Sequence, residues 1–207
     1  MIMSKVELVA LSKKESGFVQ TNSLGLMYIA TGESREQRVP VVNVGGTDVF
    51  LAAAVDGKIA TAKSLIDAGF ASINDAITVA AGTSQDEAVI ADVNEMFDPE
   101  ERVGSNGKLL CLTTNNHRRG ASVLAMPVLF RDLSRKLGCR GMYVLPSSID
   151  EILIAIDLWG QDEKIDAAMK AMVMAVNQEQ VPEDMILSNN AFYYNAEDGT
   201  LRTVGID

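Results

Sequence analysis

The chain is poor in the side chains that make and break bonds. Its 207 residues include a single histidine, His117, and two cysteines, Cys111 and Cys139. Those cysteines are separated by 27 residues, with no CxxC pair and no second histidine to complete a zinc set, so neither a structural metal nor a disulfide framework is expected. Both read as buried or idle thiols. No apolar run approaches the roughly 20 residues that span a bilayer. The opening MIMSKVELVA carries one lysine and then strand-like alternation in place of the apolar centre of a signal peptide. The expectation is a cytoplasmic protein without membrane contact. Gly45 and Gly46 have no following lysine or helix start and do not make a phosphate-binding loop. No cofactor is implied.

What the chain has is core-forming residues and segregated charge. Hydrophobic residues make up 47% of it, enough to bury a core without staples. The net charge of −10 falls in blocks. Residues 48–101 hold eleven acids and two bases, residues 102–140 eight bases and one acid, and residues 141–207 twelve acids and three bases. Overall acidity opposes nonspecific nucleic-acid binding, because phosphates are repelled at long range.

Alternation at Val6, Leu8 and Ala10 predicts a first strand, residues 26–30 a second, and VPVVNVGGTDVFLAAAV two more broken at Gly45-Gly46. Asp56-Gly57 opens a hairpin that continues as a short strand. Ser72 caps a helix, with Asp75 in the capping-box place and Gly82 closing it. Residues 85–101 suggest an acidic helix burying Ala88, Val89, Val93 and Met96. The linker-like VGSNGK makes 102–107 the one place where a single domain over 1–207 could divide. KLLCLTTNN reads as a strand, and residues 118–138 as a helix split by Pro127 and ended by Gly138. GMYVLP follows as a strand, which proposes a strand-helix-strand crossover with 108–113 parallel to 142–146. EILIAIDLW is a further strand. The next helix buries Ile165, Ala168, Met169, Met172, Val173 and Val176 and projects Met174 elsewhere, and a C-terminal hairpin turns at Asp198-Gly199. The fold class is α+β, a mixed β-sheet covered by helices.

Two loops concentrate the polar chemistry. LPSSIDEILIAID places Ser147, Ser148, Asp150 and Glu151 between apolar runs, and Thr114, Asn115, Asn116, His117 and Arg118 sit at a strand end, where ligands collect in α/β crossovers. Serine hydrolysis needs an imidazole and an oxyanion hole, and no Gly-x-Ser-x-Gly elbow is present. Ser148 and Glu151 have capping-box spacing, so shaping a helical turn is a sufficient role for them. Arg119, Arg131, Arg135 and Lys136 are candidate phosphate contacts, Arg131 and Arg135 lying at i,i+4. No aromatic but Phe130 interleaves with the basic band, so pairing with the protein's own acidic blocks is the simpler use.

CLTTNNHRRGASVLAMPVLF, YVLPSSIDEILI, MAVNQEQVPEDMILSNNAFYYN and, more weakly, GKIATAKSLIDAGFASINDAI together resemble an uncharacterised bacterial family, a domain of unknown function common in gut clostridia and their mobile elements. The similarity spans roughly residues 50–200; the first forty or so depart from the family's usual, longer N-terminal region. It implies a shared fold and the recurrence of Asn115, Gly120, Pro146, Ser147, Ser148 and Glu151, and brings no activity with it.

The leading expectation is therefore a soluble, non-enzymatic interaction protein, an accessory factor of a mobile or host-adapted genome, that engages a basic protein partner through acidic surfaces. One alternative is an enzyme or small-ligand (nucleotide or metabolite) binder using loops 114–118 and 147–151. Another is nucleic-acid binding through the 118–140 band.

Overall fold

The N-terminal half opens with β1 (Val6–Ala10), β2 (Val19–Thr21), which was not expected, β3 (Met27–Ala30), β4 (Arg38–Asn43), β5 (Phe50–Val55) and the two-residue β6 (Lys58–Ile59). They make one antiparallel sheet in the order β1-β5-β4-β3-β2, with β6 folded back on β5. The computed structural model describes residues 5–13, 15, 19–21, 27–30, 38–93, 109–146, 148–157 and 160–204. Asp56 and Gly57 turn the β5–β6 hairpin with φ of 49° and 78°, the doubly left-handed turn that matches strand twist. Gly45 and Gly46 turn β4 into β5, and Asn43 staples that turn, donating to Thr47 O and accepting from Gly46 N.

Two short helices follow, α1 (Ala62–Asp67) and α2 (Ile73–Asp86). Ser72 caps α2 as expected, its hydroxyl accepting from Asp75 N at 3.1 Å. Gly82 does not end α2, which runs on to Asp86. The helix expected over 85–101 is instead a strand at its start, β7 (Ala88–Asp92), because pairing with the edge of a second sheet overrides helix propensity. Residues 94–108, including the rest of that expected helix and the 102–107 linker, lie outside the described residues.

The second sheet is built from β7, β8 (Leu109–Thr114), β9 (Gly141–Leu145), β10 (Ile152–Asp157), β11 (Phe192–Asn195) and β12 (Leu201–Thr203), in the order β12-β11-β9-β10-β8-β7. Between β8 and β9 run a 3-10 turn (Gly120–Ala125) and α3 (Pro127–Leu137). Pro127 is the first residue of α3, where its missing N–H costs nothing, and Gly138 ends it at φ 64°. The crossover keeps β8 and β9 in the same direction, but β10 lies between them and is antiparallel to both. Every pairing in both sheets is antiparallel, where a mixed sheet was expected. The short 146–151 connection closes a β9–β10 hairpin at little entropic cost, and that hairpin fills the slot the crossover leaves open. The C-terminal hairpin β11–β12 forms as expected.

The largest core joins inward residues of both sheets, such as Leu8, Leu51, Leu112 and Ile154, with Ala76 of α2 and Phe130 of α3. On the other face of the second sheet lies α4 (Glu163–Glu179), over Tyr143, Leu145 and Tyr193.

Candidate functional site

The chain on either side of the 114–118 loop meets the 148–151 turn, while no hydrogen bond joins the two loops themselves among the described residues. Leu112 of β8 pairs with Ile152 of β10, so the end of one strand and the start of the other share a sheet end. The contact is mostly backbone: Gly120 N and Ala121 N donate to Asp150 O and Ile149 O, both at 3.1 Å. Thr113 Oγ1 donates to the same Asp150 carbonyl at 2.7 Å, and the Asp150 carboxylate accepts from Arg119 N at 2.6 Å. Ser148 Oγ accepts from Asp150 N at 3.1 Å. The expected capping box does not form: β10 follows instead of a helix, and the Glu151 carboxylate lies 3.5 Å from Cys111 Sγ rather than on Ser148 N. Sheet pairing of 152–157 claims the backbone that a helical turn would have used. Ser147 lies outside the described residues.

The 114–118 loop is likewise turned on itself. Asn115 N donates to Glu87 O, His117 N to Thr114 O, and Asn116 Oδ1 accepts from both Thr114 Oγ1 and Arg118 N. His117 and Arg119 hold left-handed φ of 53° and 52°, while the exposed His117 and Arg118 side chains sit outside the knot. The contacts therefore make a sheet corner whose hydroxyls and carboxylates, among the described residues, are committed to local partners.

Charge is spent locally too. Arg119 reaches Glu15 at 3.0 Å and Ala10 O at 3.2 Å, tying the second sheet's corner to β1. Burial pushes the Glu15 carboxyl up, but hydrogen bonds from Arg119 and Ser12 outweigh it and hold Glu15 below its ordinary range. Arg131 pairs with its neighbour Asp132 at 3.4 Å. Arg135 and Lys136 stand in the last turn of α3, complementing its dipole. Among the described residues the band's ion pairs therefore use Glu15 and Asp132, not the two acidic blocks expected. Nearness in space selects the partner, whichever block it comes from.

Burial, with Glu151 beside it, pushes the Cys111 thiol up to about 12. Cys111 is thus expected to resist iodoacetamide at pH 8 in the native protein and to react at an ordinary thiol's rate in denaturant. Native and denatured labelling followed by mass spectrometry checks this; rapid native modification would contradict it. Among the described residues no group of three or more His, Cys, Asp and Glu side chains could hold a metal ion.

Sequence reasoning missed the way α4 is seated. Its buried positions are Asp166, Val173 and Asn177, two of them polar. Tyr143 Oη donates to Asp166 at 2.8 Å, and Asn177 Nδ2 donates to Ser188 O at 2.7 Å. Beside these, Tyr193 Oη donates to Asp157 at 2.7 Å. A buried hydrogen-bonded carboxylate is costly to strand, so these anchors set the helix's rotation about its axis. The purely apolar stripe expected to be buried is turned partly outward. Ile165 is 42% exposed and Met172 50%, and Met174 is 40% exposed on a neighbouring face. Met172 borders a shallow cleft with Leu145, Leu153 and Val176 that has room for about 30 Å³. Asn177 also lines it, and Asn177 Oδ1 is buried without a hydrogen-bond partner among the described residues. The polar i, i+11 pair Asp166 and Asn177 was the available signal.

These features define an α+β protein of two antiparallel sheets with an outer helix held by polar anchors. The chain belongs to DUF5688, a family of unknown function, which matches residues 57–196. No curated protein and no solved structure matches the chain. Among the described residues no helix is long and apolar enough to cross a membrane.

Proposed function

We propose that this is a cytoplasmic, non-enzymatic interaction protein that docks a basic, amphipathic segment of a partner protein along α4. The observation that carries the reading is the outward stripe of α4, with Met172 half exposed beside the cleft and the unsatisfied Asn177 Oδ1. Methionine adapts to varied apolar surfaces, and a buried acceptor without a donor invites one. The cleft, lined by apolar side chains and the Asn177 amide, has room for a single side-chain tip and is too small for a metabolite. Exposed Glu163, Glu179, Glu183 and Asp184 outnumber Lys164 and Lys170 around the helix, which favours a basic partner. An accessory role in a mobile genome belongs to the same proposal. The other readings have less support: among the described residues the loops' hydroxyls and carboxylates have local partners, and Arg119 and Arg131 already have acidic ones.

The test is fluorescence anisotropy with a labelled Lys/Leu amphipathic helical peptide and a matched Glu/Leu peptide. The basic peptide is expected to bind, to weaken as salt rises, and to lose about tenfold in affinity on Met172→Glu, the scale of an interface hot spot. Equal binding of the acidic peptide, or indifference to Met172→Glu, would sink the proposal. A concentration-dependent dimer abolished by Met172→Glu would assign the face to a second copy instead, and overturn it.

A further inference from the structure

A second cavity opens at the other end of α4, and its chemistry is different. It has room for about 450 Å³, within the roughly 300–1,000 Å³ of small-molecule sites. Arg140, just before β9, Gln161, just before α4, and Asn195 and Arg202 of the C-terminal hairpin all line it. Tyr193, buried beneath the Arg202 guanidinium, borders it as well. Three chain segments that are distant in sequence thus bring two guanidinium groups to one hollow.

Arg202 is pre-positioned. Its Nη2 donates to Gln161 Oε1, and its guanidinium carbon lies 5.9 Å from the centroid of the Tyr193 ring. Gln161 is itself oriented, because its Nε2 donates to the buried Asp166 carboxylate at 2.5 Å. The chain Asp166–Gln161–Arg202 therefore aims the guanidinium while using one of its five N–H groups. Arg140 has no hydrogen bond or ion pair from its side chain among the described residues. Asn195 Oδ1 accepts from Glu197 N at 2.8 Å, which leaves the amide N–H groups of Asn195 for the cavity.

The nearby acceptors are mostly engaged. Asp157 takes Tyr193 Oη at 2.7 Å and Gly160 N at 2.9 Å, and Asp166 takes Tyr143 and Gln161. Glu197 is the exception, an exposed carboxylate in the lining. A wall with donors to spare and few free acceptors complements a ligand made of acceptors. Two guanidinium groups are matched better by a phosphate, with three oxygens and a charge of about −1.5 to −2, than by a carboxylate with two oxygens and a single charge.

We infer that Arg140 and Arg202 form a binding site for a phosphate group, carried by inorganic phosphate or by a small phosphate monoester. The site is separate from the docking surface on α4 and does not rest on it.

Isothermal titration of the full chain at low salt, with sodium phosphate in one arm and adenosine 5′-monophosphate in the other, tests the inference. One saturable site is expected, and the tighter arm names the source of the phosphate. Arg140→Gln and Arg202→Gln should each weaken binding about tenfold or more, while Glu197→Gln should tighten it. Arg140→Gln breaks no hydrogen bond among the described residues, so an unchanged circular-dichroism melt is expected and a folding defect is separable. Arg131→Gln on α3 should leave binding unchanged. Met172→Glu should also leave it unchanged, so failure here and failure of the docking proposal can be told apart. Absence of saturable binding in both arms, or affinity indifferent to both arginine replacements, overturns the inference. A loss with Arg131→Gln as large as with Arg202→Gln does so as well, since it would report general surface charge.

Discussion

Gly120→Ala is expected to destabilise the protein by about 3 kcal/mol, the upper part of the range for overpacking a filled site, and to lower the melting temperature by about 6–12 °C. A Cβ at Gly120 would stand 2.4 Å from Thr113 Oγ1, 2.6 Å from Asp150 O and 2.7 Å from Thr114 N. Two of those are backbone atoms that also hold the sheet corner, so relief requires separating β8 from the 148–151 turn. The hydrogen bonds from Thr113 and Gly120 to Asp150 O would go with it. The control is Gly82→Ala, in the interior of α2 with nothing within 4 Å, which should be neutral or stabilising by up to about 1 kcal/mol. Thermal or urea melts of the two variants decide the matter. A Gly120→Ala protein as stable as the parent would mean that the corner is not the close-packed joint described.

Stability is also expected to fall steeply above pH 10. Burial, then hydrogen bonding to a carboxylate, raises both Tyr143 and Tyr193 well above the ordinary tyrosine value near 10. The folded state therefore holds these protons more tightly than the unfolded chain does. Their contribution is complete below about pH 10 and is lost as the pH climbs from there through the folded values. The slope is up to about 1.4 kcal/mol per pH unit for each tyrosine. Tyr193→Phe should cost about 1–3 kcal/mol at neutral pH, because Asp157 loses a donor, yet flatten the alkaline limb. Urea melts at several alkaline pH values measure both effects. An ultraviolet phenolate titration in which all four tyrosines ionise near pH 10 with the fold intact would contradict the assignment.

The local signals that read correctly share one property: the residues that set them are close in sequence. Ser72 caps α2, Pro127 starts α3, Gly138 stops it, and Asp56-Gly57 turns a hairpin, each through contacts within a few residues. The errors share the opposite one. Residues 88–92 became an edge strand because β8 was there to pair with, and β10 separated β8 from β9 because a tight hairpin could insert. The candidate loops were legible as polar knots, but their role was not, since Asp150 is claimed by Arg119 N, Thr113 Oγ1 and Gly120 N from the chain flanking the other loop. The Arg140–Arg202 cavity had no local signature, because its walls come from three chain segments distant in sequence.

By itself the sequence determined the α+β class, most element boundaries, the acidic balance and the scarcity of catalytic side chains, because propensity, capping and composition act over a few bonds. Tertiary structure alone decided strand order, the rotation of α4 about Asp166 and Asn177, and which acids Arg119 and Arg131 pair with. Those outcomes depend on buried hydrogen bonds between residues far apart in the chain, whose strength exists only once folding has removed the water that would otherwise satisfy them.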